Sequence, residues 1–221
     1  MMYNILSTGS KANAIIYHGN IMVDIGVPYS VVLPYVKDIS IILLTHVHSD
    51  HLNIKTLKKI QFERPSLRVG CGEFLVEKLK ENGIKNIDVY DIGQWYSYHT
   101  NSFISLHIIP VQLYHDVPNI GYRILTEDLT NKETRIFHAT DSSHLQGITA
   151  KNYDLYALEC NYDEGHVWEV IQEKELRGEY AHQRGAMETH LSIQQAQSFV
   201  QNNVTENHKY EFLELHKSNE F

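Results

Sequence analysis

The sequence predicts an α/β fold with two sheets covered by helices, and three observations lead there. Strand patterns come first, strand and helix patterns then alternate, and strands return afterwards, an order that fits two sheets. The apolar, β-branched run Ile39–Leu44 reads as a buried strand, and Thr45-His46-Val47-His48-Ser49-Asp50-His51 follows directly from its carboxyl end. Later strand patterns also end in acids and histidines, which would gather these groups on one sheet edge, where open α/β folds bind ligands.

Taken in order, Tyr3–Leu6, Ala14–His18 and Ile21–Asp24 read as short strands, with Gly19-Asn20 as the turn joining the last two. The loop Ser7–Asn13 is small and polar. Asp24 ends the third strand with two readings open, a carboxylate that orients a metal ligand or an ordinary turn acid. Ile54, Leu57 and Ile60 recur at helical spacing and predict a helix over Asn53–Glu63, stopped by Arg64-Pro65. A strand over Leu67–Gly70 leads to a second helix over Glu73–Asn82, with Gly83 just past its end. Strand patterns then cover Ile87–Asp91, Gln94–Tyr98 and Phe103–Ile109.

Val111–Asp116 carries the next candidate ligand, His115, and Gly121–Leu125 resumes a strand. Thr126–Thr134 reads as a polar hairpin turn, Thr134–Ala139 as a strand leading to Asp141, and Asp154–Cys160 as a strand with Glu159 and Asn161 at its tip. Val167–Arg177 reads as helical. The polar stretch Gly178–Gly185, which holds His182 and Arg184, is either a lid that stacks a base and holds a phosphate or plain surface. Ser192 and Gln195 form a capping-box pattern opening a helix over Ile193–Gln201, so His190 stands just before a helix amino terminus, a position suited to a phosphate oxygen. Phe212–Lys217 reads as a last strand bearing His216.

In an extended chain alternate side chains share a face, so His46 and His48 can grip one ion, while Asp50 and His51, where the chain turns, can face a second. Imidazoles with a carboxylate suit zinc, manganese or iron. The length of 221 residues fits one unit over 1–221, and 43% hydrophobic residues suffice for a sizeable core. No apolar run is long enough to cross a membrane, and no basic-then-apolar leader opens the chain. Cys71 and Cys160 are too few for a disulfide framework, so free thiols in a reducing cytoplasm are expected. The net charge of −8 argues against wide contact with a nucleic-acid backbone. Two bound cations would reverse the sign locally and let a small anion bind.

The motif Thr45–His51, then His115 with Gly121-Tyr122, Ala139-Thr140-Asp141-Ser142, Leu158-Glu159-Cys160-Asn161, Thr189-His190-Leu191-Ser192 and Leu215-His216-Lys217-Ser218 together resemble the ordered motifs of the metallo-β-lactamase-fold hydrolases. The resemblance implies a four-layer αββα sandwich with a dinuclear site holding two divalent ions, zinc or manganese. By that resemblance His46, His48 and His115 bind one ion, Asp50, His51 and His216 the other, and Asp141 bridges them. The later motifs look closest to phosphodiesterases of the tRNA 3′-processing and small exonuclease type. They imply a catalytic set of His190, Glu159 and Asp50, with His190 as general acid. Asn161, Ser192, His182 and Arg184 are the candidate substrate contacts.

Three functions compete on these grounds. The acidic balance and compact length favour a phosphodiesterase of small cyclic nucleotides. In build the chain resembles phage-encoded phosphodiesterases that destroy cyclic pyrimidine and purine mononucleotides (cCMP, cUMP, cAMP and cGMP) to defeat bacterial Pycsar immunity. A nuclease acting on RNA or DNA ends is the alternative, and a lapsed enzyme that only sequesters a ligand is the third. Relatives that pair into dimers imply a homodimer, with a small phosphodiester as partner, no membrane and no extended nucleic acid.

Overall fold

The computed structural model describes residues 2–100, 102–181 and 183–217. The chain divides into two compact units, Met1–Gln94 and Trp95–Phe221, each with its own sheet and core. Among the described residues there are two sheets and six α-helices. None of the helices is long and apolar enough to cross a membrane.

In the first unit the strands are β1 (Tyr3–Ser7), β2 (Ala14–Tyr17), β3 (Ile21–Val23), β4 (Ile41–Leu43), β5 (Arg68–Gly72) and β6 (Ile87–Tyr90), which lie in sequence order. The first three pair antiparallel as a meander, and β3 to β6 pair parallel. Parallel neighbours need crossovers, supplied by α1 (Tyr29–Val32) with a following 3-10 turn, α2 (Ile54–Glu63) and α3 (Glu73–Glu81). Asn53 caps α2 by accepting from the Thr56 amide at 3.1 Å. Leu57 and Ile60 of α2 and Leu75, Val76 and Leu79 of α3 bury their apolar stripe in the core. Strand β4 is flanked on both edges, Ile42 pairing with Met22 and with Val69, which explains why it reads as an unbroken apolar run.

In the second unit β7 (Tyr96–Thr100), β8 (Phe103–Tyr114), β9 (Pro118–Asp128) and β10 (Glu133–Ala139) are antiparallel neighbours, and β10, β11 (Leu155–Glu159) and β12 (Glu211–Leu215) run parallel. Three helices follow β11: α4 (Glu164–Leu176), α5 (Gln183–Thr189) and α6 (Ile193–Asn203). Ala196, Phe199 and Val200 of α6 share a core with Phe137, Tyr156 and Leu158. Because β8, β10, β11 and β12 point the same way, His115, Asp141, Glu159 and His216 all fall at one edge of this sheet.

Strands β8 and β9 run well past the expected Ile109 and Leu125. Beyond Ile108, β8 is paired only with β9, so the missing N–H of Pro110 can be tolerated. The expected turn over Thr126–Thr134 shrinks because the Asp128 carboxylate accepts from the amides of Thr130 (2.8 Å) and Lys132 (3.1 Å), tightening the reversal. Cys71 and Cys160 are buried and unbridged, and burial pushes both thiols up to about 12.

Candidate metal centre

Each unit brings to strand ends its own set of side chains that could hold a metal. In the first, β4 ends at Leu43 and the chain passes through Thr45 into the histidine-rich stretch. His46 Nε2 lies 3.1 Å from His48 Nδ1, as alternation along an extended chain requires. Tetrahedral zinc with Zn–N bonds of about 2.0–2.1 Å sets its donors about 3.3 Å apart, so this pair fits a shared ion. The His51 ring lies 4.2 Å from that of His46, centroid to centroid.

His51 Nδ1 donates to Asp24 Oδ2 at 2.6 Å, which leaves Nε2 as the nitrogen with a lone pair. Asp24 is held by the amide (2.8 Å) and hydroxyl (2.8 Å) of Thr45, in a left-handed backbone with φ of 58°. Asp24 is therefore hydrogen-bonded to the His51 imidazole and is more than a turn acid. Around His51 Nε2 stand Asn13 Nδ2 at 2.8 Å and Asp50 Oδ2 at 3.5 Å. Asn13 is 6% exposed, and its carboxamide is fixed by the backbone of Gly9. The sequence reading passed over Asn13 as part of a polar loop, because its partners lie 37 and 38 residues further along and only folding joins them.

The second unit is organised around the Glu159 carboxylate, which is fully buried. Its Oε1 accepts from His190 Nδ1 at 2.5 Å and His216 Nδ1 at 3.2 Å, and its Oε2 from the amides of Ser142 (3.1 Å) and Leu191 (3.2 Å). One acid therefore orients two imidazoles, whereas the sequence reading gave it only His190. His216 Nε2, left to act as a ligand nitrogen, lies 3.6 Å from Asp141 Oδ1, and His190 Nδ1 lies 3.5 Å from the same oxygen. Ligand atoms of Asp141, Glu159, His190 and His216 all fall within 4.8 Å of one another. Asp141 and His216 both sit in the left-handed region, at φ of 55° and 50°, strain of the kind that clusters at functional sites.

Charges in this cluster favour a ready proton. Burial pulls the His190 pKa down, but the hydrogen bond and charge of Glu159 outweigh it and the net shift is upward. Burial pushes Glu159 up, yet its hydrogen bonds from His190 and His216 hold it below the usual carboxylate value. His115 goes the other way, lowered chiefly by burial, and its Nδ1 donates to the Thr189 carbonyl at 3.0 Å. Its Nε2 stands 3.0 Å from Asp116 Oδ1, so as a metal ligand this nitrogen would exchange that contact for the ion.

A β-lactamase superfamily domain matches residues 25–201, well over half of the chain. The chain belongs to that superfamily. Two solved structures of this fold align along nearly its whole length. The metallo-β-lactamase fold protein YhfI from Bacillus subtilis is 16% identical with a TM-score of 0.69, over 98% of this chain and 86% of that one. Human tRNase Z, short form, is 14% identical with a TM-score of 0.65, over 99% and 93%. No curated protein matches at the level of sequence. The two sheets and six helices form the metallo-β-lactamase fold.

Other expected site residues of this superfamily member are placed as follows. Ser192 is fully buried, and its hydroxyl accepts from the Gln195 amide at 2.9 Å and donates to Glu164 at 2.5 Å, so it closes the cap of α6. Asn161 is 8% exposed and donates to the His216 carbonyl at 3.3 Å. Arg184 lies in α5, not in a loop, with its guanidinium on Glu175 (2.6 Å) and over the Trp168 ring at 5.8 Å. His182 lies outside the described residues.

Proposed function

We propose that this chain is a dinuclear metal-dependent phosphodiesterase that hydrolyses small cyclic mononucleotides. The observation that carries the reading is the Glu159 carboxylate, which on one oxygen holds both a ligand-type histidine, His216, and a proton donor, His190. By the motif resemblance His46, His48 and His115 would hold one ion and Asp50, His51 and His216 the other, with Asp141 as a further carboxylate ligand. When bound, such a pair of cations acidifies water towards neutrality and stabilises charge on a phosphoryl oxygen. Water adds to phosphorus, giving up its proton towards Asp50, and the ring P–O bond breaks. His190, held through Nδ1 by Glu159, protonates the leaving oxygen from Nε2, and the product is a nucleoside monophosphate.

The donor set, three imidazoles and an acid in the first unit and the two imidazoles of His115 and His216 with Asp141 in the second, suits zinc or manganese. The acidic balance of −8 favours a small substrate over a long polyanion. The setting we propose is removal of the cyclic-nucleotide signals of bacterial immunity, from the resemblance in overall build, by a homodimer, as relatives pair, in the reducing cytoplasm that two free cysteines suit. A second reading, a nuclease acting on RNA or DNA ends, has in its favour the fold likeness to a tRNase. The test is to strip the protein of metal, reload it with zinc or manganese, and offer cyclic mononucleotides, cyclic dinucleotides and end-labelled RNA. Turnover of the cyclic mononucleotides with the RNA intact is expected. Trimming of RNA with no action on cyclic nucleotides would install the second reading.

A further inference from the structure

We infer that a groove of about 420 Å³ beside α6 is the subsite for the substrate's nucleobase. This deepens the phosphodiesterase reading and rests on it. The groove runs between α6 and the loop that follows Asp141, and Leu191, next in the chain to His190, forms part of its floor. Two chain neighbours tie it to the cluster of the same unit, since Leu191 follows His190 and gives its amide to Glu159, and the lining ring of His144 stacks on Tyr114, the residue before His115. The volume lies within the usual range of small-ligand sites.

Its chemistry selects a neutral heteroaromatic group. The floor is apolar, from Leu145, Leu191 and Phe199, and the rim carries Gln146, Ser198 and Asn202, whose amides and hydroxyl both donate and accept. Among the described residues that line it there is no lysine or arginine, and Glu164 adds a carboxylate, so an anion is disfavoured here. A phosphate belongs at the cations and the uncharged end of the nucleotide in the groove. His144 supplies a ring to the wall. It is stacked on Tyr114 with centroids 4.3 Å apart and an interplanar angle of 29°, and is anchored by the Gln146 amide on its Nδ1 at 3.3 Å. A ring held this way is pre-ordered for stacking, which is worth most when no side chain has to be fixed on binding. The loop itself is rigid, since Ser143 donates its amide to the Tyr114 carbonyl at 2.7 Å and the Ser142 hydroxyl donates to the His144 carbonyl at 2.8 Å. Gln194 and Gln195 also border the groove, but they are engaged with Asp163 and with the α6 cap, which leaves base reading to Gln146, Ser198 and Asn202.

The test substitutes Ser198→Trp, an exposed position on α6 where an indole fills the groove without touching the core. Two readouts are used on the metal-loaded protein. The first compares KM for a cyclic mononucleotide with KM for the same cyclic ribose phosphate lacking a base. In the parent the base should lower KM by about tenfold or more, the order expected of stacking. Ser198→Trp should erase that advantage and leave the base-free substrate within about twofold, with kcat little changed for either. The second readout follows the backbone amide resonances of Leu145, Gln146 and Ser198 while the four uncharged nucleosides are added, with inorganic phosphate as the control. Nucleosides should move them and phosphate should not. If phosphodiesters are not cleaved but nucleosides still shift these resonances, and Ser198→Trp abolishes the shift, the groove stands and the function proposed above falls. If Ser198→Trp leaves the base advantage intact, or nucleosides leave the resonances unmoved, the groove is not the base subsite.

Discussion

Replacing Glu159 by glutamine should cost metal affinity more than it costs the fold. The carboxylate takes four N–H donors, the imidazoles of His190 and His216 on one oxygen and the amides of Ser142 and Leu191 on the other. A glutamine must turn an NH2 group towards one pair. If it faces the amides, two buried donors lose their acceptor, at about 1–3 kcal/mol each, or about 2–6 kcal/mol in all. If it faces the imidazoles it can donate to both Nδ1 atoms, provided each ring moves its proton to Nε2. The second arrangement keeps every hydrogen bond and is the one the folded chain should adopt. It also protonates the His216 nitrogen that would bind metal. The expected result for Glu159→Gln is a folded protein whose affinity for the ion at His216 falls about 10–100-fold, the usual cost of losing an orienting partner. A chelator-competition titration with zinc, run beside a thermal melt of the metal-free protein, measures both quantities. Parental affinity for both ions would refute the idea that Glu159 sets the tautomer of His216.

Three further outcomes follow from the geometry. His190→Ala should keep both ions while lowering turnover of a cyclic nucleotide by about 10²–10⁴-fold, and the loss should shrink on a nitrophenyl phosphodiester, whose leaving group needs little protonation; equal losses on the two substrates would count against the general-acid role. Gly26→Ala should destabilise the chain by about 3 kcal/mol or more in a denaturant titration, because a Cβ there would meet the Asp50 carbonyl oxygen at 1.7 Å and the Asn13 nitrogen at 2.9 Å, and an unchanged midpoint would mean the loop is not tight against the motif. In the metal-free protein the His190 pKa is raised, so its stabilising contribution is complete below the ordinary histidine value of about 6.5 and is lost as pH climbs through the raised folded value. Glu159 is lowered, so its contribution is present above about 4.3 and is lost as pH falls through its folded value, and thermal melts of chelator-treated parent and His190→Ala should differ most between about 4.3 and 6.5 and draw together as pH climbs.

How far the sequence could be read varied with how local the signal was. His46, His48, Asp50 and His51 were legible because four donors fall within six residues after a strand buried on both edges. The start of α6 was legible because Ser192 and Gln195 complete the capping box within the helix itself. The ends of β8 and β9 were not, since Pro110 and the polar residues before Asp128 argue locally for a break that sheet pairing overrides. The stretch before His190 read as loop where the chain forms α5, a short helix containing Gly185 and lacking an apolar stripe. Asn13 and the second role of Glu159 were invisible, because each depends on contacts made across tens of residues, at His51 and at His216.

The account rests on the two ions proposed above. Native mass spectrometry of the zinc-loaded parent, His48→Ala and Asp141→Ala counts them directly. The account predicts two ions in the parent and one or none in each variant, because each loses a ligand and is left with an incomplete coordination shell. Two ions retained in both variants would contradict it.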